Sequence, residues 1–240
     1  MLYKNMWLPL FAEFLGTFLL VFFGCLTAAT NSGQVATGLA FGVVLLLMVY
    51  AFGPASGSHF NPQVSFSLAL TGNISVVKMI LYWIFQLSGA LLAATILNYL
   101  LGAETGLGAS VGSFTNTFPW KAVVVEAVIT FIFITTVLYV VNNSSLSTVS
   151  GLIIGAGLFL AVMVGYPLTG GSANSWRSLA PAIFTGNLPT VWIYFVGPFI
   201  GAFVASIVYW ALNRNTCKDN WMWEFKEANL FEICYNLHKM

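Results

Sequence analysis

Charge is what this 240-residue chain has least of. Only 6% of its residues are Asp, Glu, Lys or Arg, against roughly 25% in a soluble globular domain. With 59% hydrophobic residues and a mean hydropathy of +0.88, that scarcity excludes a water-exposed surface over most of the chain. The protein reads as integral to a membrane. The net charge of +1 comes with no basic cluster, which excludes a nucleic-acid partner. Three cysteines, Cys25, Cys217 and Cys234, lack ligand spacing, so neither a disulfide framework nor a metal site is expected. No nucleophile–base pair or metal cluster appears, so no enzyme activity and no cofactor are expected. The first apolar run is too long for a signal peptide and is better read as a spanning helix.

What the chain does have is long apolar runs. Six are long enough to cross the roughly 30 Å hydrocarbon core. They cover about Trp7–Ala29, Val35–Phe52, Val76–Leu100, Trp120–Val141, Val149–Pro167 and Thr190–Leu212. Two shorter helices, Pro62–Leu70 and Ser175–Phe184, each follow an Asn in a small-residue loop. Asn is a strong N-cap, and Pro62 suits a first helical turn. Helices too short to span read as re-entrant segments, which survive at membrane depth only where they line a cavity. The Gly102–Pro119 connector, rich in Gly, Ser and Thr, reads as an exposed loop.

Lys4, Lys78, Arg214, Lys218, Lys226 and Lys239 fall on one side of this topology and Lys121 on the other. The excess places both termini in the cytoplasm. The multi-pass channel domain takes residues 1–216. A cytoplasmic tail, 217–240, reads as either an amphipathic headgroup-level helix or a partly ordered extension. The sequons at Asn73 and Asn142 would face the cytosol, so neither is expected to carry glycan.

The chain also repeats itself. Glu13 and Thr17 match Glu126 and Thr130; Gly38 and Gly42 match Gly151 and Gly155. Pro54, Gly57 and Asn61 match Pro167, Gly170 and Asn174, all at one offset of 113 positions. Thr71-Gly72-Asn73 recurs as Thr185-Gly186-Asn187, and Gly89-Ala90 as Gly201-Ala202, within one residue of it. The halves, about 1–114 and 115–216, each hold three spans and one half-helix, so they insert in opposite senses. Inverted repeats place their site near the midplane, where broken helices meet.

These residues carry a family resemblance. His59-Phe60-Asn61-Pro62, Thr169-Gly170 leading to Asn174 and Arg177-Ser178, Ala180-Pro181-Ala182, Glu13, Glu126 and Val196-Gly197-Pro198 make the chain resemble the aquaporin (major intrinsic protein) family over about residues 7–212. The resemblance implies an all-α membrane fold of six transmembrane helices plus two re-entrant half-helices in an inverted 3+3 repeat. It also implies a homotetramer in a lipid bilayer with one pore per protomer.

Carried over residue by residue, Asn61 and Asn174 would form the pore midplane, each amide donating to a passing solute. The two positive helix ends would oppose cations and protons there. Phe41, Val162, Gly171 and Arg177 would form the selectivity filter. His59 would line one mouth, and Glu13 and Glu126 would support the re-entrant loops. An Arg within an apolar chain is a functional hypothesis in its own right. Gln86 has no evident partner and reads as a helix-to-helix hydrogen-bonding group.

Val162 stands where strict water channels of the family often carry His. Ser178, Ala182, Tyr194 and Phe195 resemble water-channel positions, and the glycerol-type Asp after Arg177 is absent. The implied function is a passive channel for water, with passage of small neutral solutes such as glycerol, ammonia or hydrogen sulfide, excluding ions and protons.

The boxes depart from the family's Asn-Pro-Ala: the first reads Asn61-Pro62-Gln63 and the second Asn174-Ser175-Trp176. An inward Trp176 would plug the lumen; one turned between helices would leave it open. The competing reading is therefore a non-conducting or structural membrane protein on the same fold, its lumen blocked by Trp176 and Gln63. A secondary transporter is a third, opposed by the lack of a coupling-ion site.

Overall fold

A computed structural model describes residues 6–213. The chain before and after them, including the tail reading, Cys217, Cys234 and most of the orienting Lys and Arg, lies outside the described residues.

The helices run α1 (Trp7–Ala29), α2 (Gly33–Ser56), α3 (Pro62–Leu70), α4 (Val76–Leu101), α5 (Pro119–Val141), α6 (Ser150–Thr169), α7 (Ser175–Thr185) and α8 (Ile193–Leu212). No strand occurs among the described residues. The six long apolar segments run 23 to 26 residues when the 3₁₀ turns ahead of α6 and α8 are included. At 1.5 Å per residue that is about 35–39 Å, enough to cross a bilayer. Large apolar side chains, Phe11, Leu47, Ile84, Val128 and Phe203 among them, lie exposed along these helices; lipid is the medium that accommodates them.

The expected spans and half-helices are all present, with ends shifted by a few residues. The largest shift is in α2, which continues through Pro54 to Ser56. That proline sits near the helix end, where its missing N–H disturbs only the last turns.

Without a hydrophobic drive between helices in lipid, close approach of backbones holds the bundle together. A Cβ added at Gly42 would lie 2.6 Å from the Gly155 carbonyl oxygen, and one at Gly155 would lie 2.6 Å from that of Gly42. Glycine is therefore required where α2 crosses α6. The reciprocity marks a pseudo-twofold axis between the halves. Gly89 of α4 likewise abuts the α1 backbone at Phe14 and Phe18, and Gly201 of α8 the α5 backbone at Ala127 and Phe131. The half-helices cross over: α3 packs on α4 and on α8 of the other half, and α7 packs on α8 and on α4.

One expectation fails. The Gly102–Pro119 connector is not simply an exposed loop. It opens with a 3₁₀ turn at Ala103–Gly108 and then buries Leu107, Ser110 and Thr115. Its backbone is tied to the end of α6 by Ser113 N–H to the Pro167 oxygen (3.1 Å) and Phe114 N–H to that of Leu168 (2.9 Å). Small residues let it enter: Gly108 lies against the Cys25 backbone and Gly112 against that of Leu168 and Thr169.

Candidate functional site

The two Asn loops are built alike. Gly57 and Gly170 (φ +92° and +83°) end α2 and α6 in left-handed geometry, and Phe60 and Ala173 (φ +49° and +48°) adopt it again just before each Asn. Non-glycine residues pay for that geometry unless their surroundings hold them. What holds them is a buried carboxylate. Glu13 accepts from His59 N–H (2.9 Å), Phe60 N–H (2.8 Å), Ser56 Oγ (2.7 Å) and Gln86 Nε2 (2.7 Å). Glu126 accepts from Ser172 N–H (3.0 Å), Ala173 N–H (3.0 Å) and Thr169 Oγ1 (2.6 Å). Both glutamates are fully buried; a carboxylate tolerates such a place when hydrogen bonds surround it. Gln86, whose partner was not evident from sequence, joins α4 to Glu13 and to Ser65 of α3.

A second duplicated support went unnoticed as a pair. Tyr82 donates its hydroxyl to the Ser56 carbonyl (2.6 Å) and Tyr194 to the Thr169 carbonyl (2.7 Å). Tyr82 and Tyr194 stand 112 positions apart, so the near-constant offset is the signal that would have found them.

The half-helices then meet head to head. Asn61 Oδ1 accepts from Gln63 N–H (2.8 Å), and Asn174 Oδ1 from Trp176 N–H (3.1 Å) and Arg177 N–H (3.3 Å). Each amide nitrogen crosses to the opposite half: Asn61 Nδ2 to the Ala173 oxygen (2.8 Å), Asn174 Nδ2 to that of Phe60 (3.0 Å). An Asn NH2 has two hydrogens, so one on each remains for a solute.

A cavity of about 10 Å³ lies here, close to the least that admits one water molecule. Its polar lining is His59, Asn61, Ser172, Asn174 and Arg177; its apolar lining is Leu20, Leu45, Phe41, Phe133 and Leu158. Eight of these ten are four repeat pairs: Leu20 with Phe133, Leu45 with Leu158, His59 with Ser172, and Asn61 with Asn174. The leucines and Phe133 were missed because apolar residues in an apolar chain carry no signal without the repeat.

Phe41 and Arg177 break the symmetry. The guanidinium carbon stands 5.1 Å from the Phe41 ring centre, within cation–π range. Arg177 is 1% exposed, which rules out a side chain snorkelling to the headgroups. It donates to Ser110 Oγ and, at 3.5 Å, to the Gly170 carbonyl, leaving Nε unpaired. Ser110 belongs to the connector that was expected to be exposed. Its hydroxyl continues through Ser178 (2.6 Å) to Ser172 (2.5 Å).

Val162 and Gly171 adjoin each other, but neither lines this cavity. At Gly171, with φ +57°, a Cβ would lie 2.5 Å from the Val162 carbonyl oxygen; packing against α6 alone demands glycine there.

The irregular box residues do not line this cavity. Trp176 packs edge-on against Phe195 of α8, ring centres 5.6 Å apart. Gln63 and Ser175 are fully buried and bonded to each other.

A cavity between opposed half-helices, inside a bundle with an apolar exterior, is the arrangement of a multi-pass membrane channel. Residues 3–209 match the sequence profile of the family described as Major intrinsic protein. The glycerol uptake facilitator protein-like 6 of Lactiplantibacillus plantarum is 40% identical over 203 residues, 81% of this chain and 93% of that one. Aquaporin-5 of Sus scrofa is 36% identical, with 84% of this chain and 79% of that one covered. Aquaporin Z of Photorhabdus laumondii is also 36% identical, over 82% and 94%. The aquaglyceroporin from Plasmodium falciparum superposes with a TM-score of 0.70 at 21% identity, covering 84% of this chain and 94% of that structure. The chain belongs to the major intrinsic protein family. It is an integral membrane channel that passes water or small solutes passively, not an enzyme.

Proposed function

We propose that the protein is a water channel that also passes small neutral solutes such as glycerol, ammonia or hydrogen sulfide, and excludes ions and protons. The observation that carries this reading is the one-water cavity at the two Asn amides, lined by both apolar side chains and hydrogen-bonding groups. A solute oxygen passing Asn61 and Asn174 meets two convergent positive helix ends, which disfavour cations and protons. Arg177 and Phe41 narrow one end and select by size and polarity. At the two remaining filter positions, Val162 and Gly171, small side chains make a wider filter than a bulkier residue would.

His59 lines the opposite end, and Glu13 and Glu126 hold the loops. The working unit is one channel domain, residues 1–216, in a homotetramer with both termini cytoplasmic.

The blocked-lumen alternative has no support from Trp176 or Gln63, since neither lines the cavity. Stopped-flow light scattering of proteoliposomes in water, glycerol and ammonia gradients tests the proposal. Expected is water flux well above empty liposomes, with weaker glycerol flux. Shrinkage no faster than empty vesicles, together with faster shrinkage for Trp176→Ala, would establish a Trp plug instead.

A further inference from the structure

Two of the three box departures are not independent losses. The geometry points to Gln63 and Ser175 as a matched positioning pair that bolts the half-helices together beside the Asn donors. This rests on the reading that solute passes Asn61 and Asn174.

The carboxamide of Gln63 meets Ser175 twice. Its Nε2 donates to Ser175 Oγ (2.5 Å), and its Oε1 accepts from Ser175 N–H (3.1 Å). The Ser175 hydroxyl passes its own proton to the Tyr194 carbonyl (2.8 Å). Each direction is fixed: an N–H must face Oε1, so Nε2 faces the hydroxyl, and a hydroxyl that donates to Tyr194 is free to accept. Both residues are fully buried.

The regular box could not make this contact. Proline at 175 has no N–H to give, and alanine at 63 has nothing to receive it. Gln63 opposite a proline would bury an amide without its acceptor's partner; Ser175 opposite an alanine would bury an orphan N–H. Each departure is costly alone and sound only with the other. Asn61 is two residues before Gln63, and its Oδ1 takes the Gln63 N–H. Asn174 immediately precedes Ser175. Strain or slack in the bolt therefore moves both Asn amides directly.

A double-mutant cycle in proteoliposomes tests the pair, using Gln63→Ala, Ser175→Pro and the double variant that restores a proline and an alanine. Each single change should lower water permeability per folded protomer by about threefold and alter the glycerol-to-water ratio, while the double returns to within about twofold of the starting protein, a coupling typical of residues sharing one network. The ratio separates positioning from simple loss of folded channel, which lowers both fluxes alike. Ser175→Ala keeps the N–H and loses only the hydroxyl, so it should fall between. Thermal unfolding of the same four proteins reads the bolt without any flux. A starting protein that conducts nothing would defeat the proposed function, and the thermal cycle alone would then decide the pair. Additive effects in both readouts, or single variants that change neither, would overturn it.

Discussion

The two halves of the molecule agree in what carries backbone and differ at a few of the side chains that line the cavity. Glu13 and Glu126, Tyr82 and Tyr194, the left-handed residues Phe60 and Ala173, and the crossing glycines Gly42 and Gly155 recur in register and make corresponding contacts. The scaffold is therefore written twice. Some of the side chains at the cavity are not: Ser172 occupies the repeat position of His59, and Val64 that of Arg177. Two identical halves would give a passage alike at both ends, with either two arginines or none. Under the proposed function, divergence at a few positions such as these is what would make one end select.

The strongest way to break the comparison is through the carboxylates. Glu13 gathers four donors and Glu126 three, and each buried donor left unpaired costs about 1–3 kcal/mol. Both alanine variants should be severely destabilised, and Glu13→Ala more so by about the cost of one donor. Thermal unfolding in detergent checks the order. If neither alanine variant accumulates, Glu13→Gln and Glu126→Gln, which keep one acceptor oxygen, carry the same comparison. Equal losses would show that Gln86 adds nothing to the first clamp.

Next in size is Arg177→Val, which copies Val64 into the second half. Folding should survive because the arginine's partners are a connector hydroxyl and the Gly170 carbonyl, both of which water can re-pair. Glycerol flux should rise about tenfold, equivalent to roughly 1.4 kcal/mol off the barrier, with water flux little changed. Unaltered glycerol entry in a stopped-flow gradient would move the selecting end away from Phe41 and Arg177.

The smallest effect comes from the tyrosines. Tyr82→Phe loses one hydrogen bond, about 1 kcal/mol, whereas Tyr194→Phe also loses the contact with Thr115 (3.1 Å). For a chain of this size each kcal/mol is about 2–4 °C in Tm, so Tyr194→Phe should melt a few degrees lower than Tyr82→Phe. Matching melting points would mean that the Thr115 contact contributes nothing.

Most of the scaffold was legible because lipid demands long apolar runs and the repeat supplies its own alignment. The offset linking Asn61 to Asn174 also links the apolar wall residues, such as Leu45 and Leu158, and would have named them. Ser110 was not legible. It lies in the connector between the halves, has no repeat mate, and sits among Gly, Ser and Thr that suggest solvent. Nor was the pairing of Gln63 with Ser175, since comparing each box with a regular one treats every departure as a separate loss. Their contact crosses from one half to the other, and only the fold brings them together.

The connector has a consequence for how such a chain can be rearranged. It is the covalent seam between two repeats, and it also supplies the hydroxyl that receives Arg177. A tandem duplication joined by an arbitrary spacer would reproduce both half-helices and both clamps yet leave the arginine without that partner. The exposed turn at Glu104 and Thr105 is where the seam can take an inserted tag or a new chain end. A few residues further on, around Ser110, it is buried against the arginine and as fixed in place as any helix.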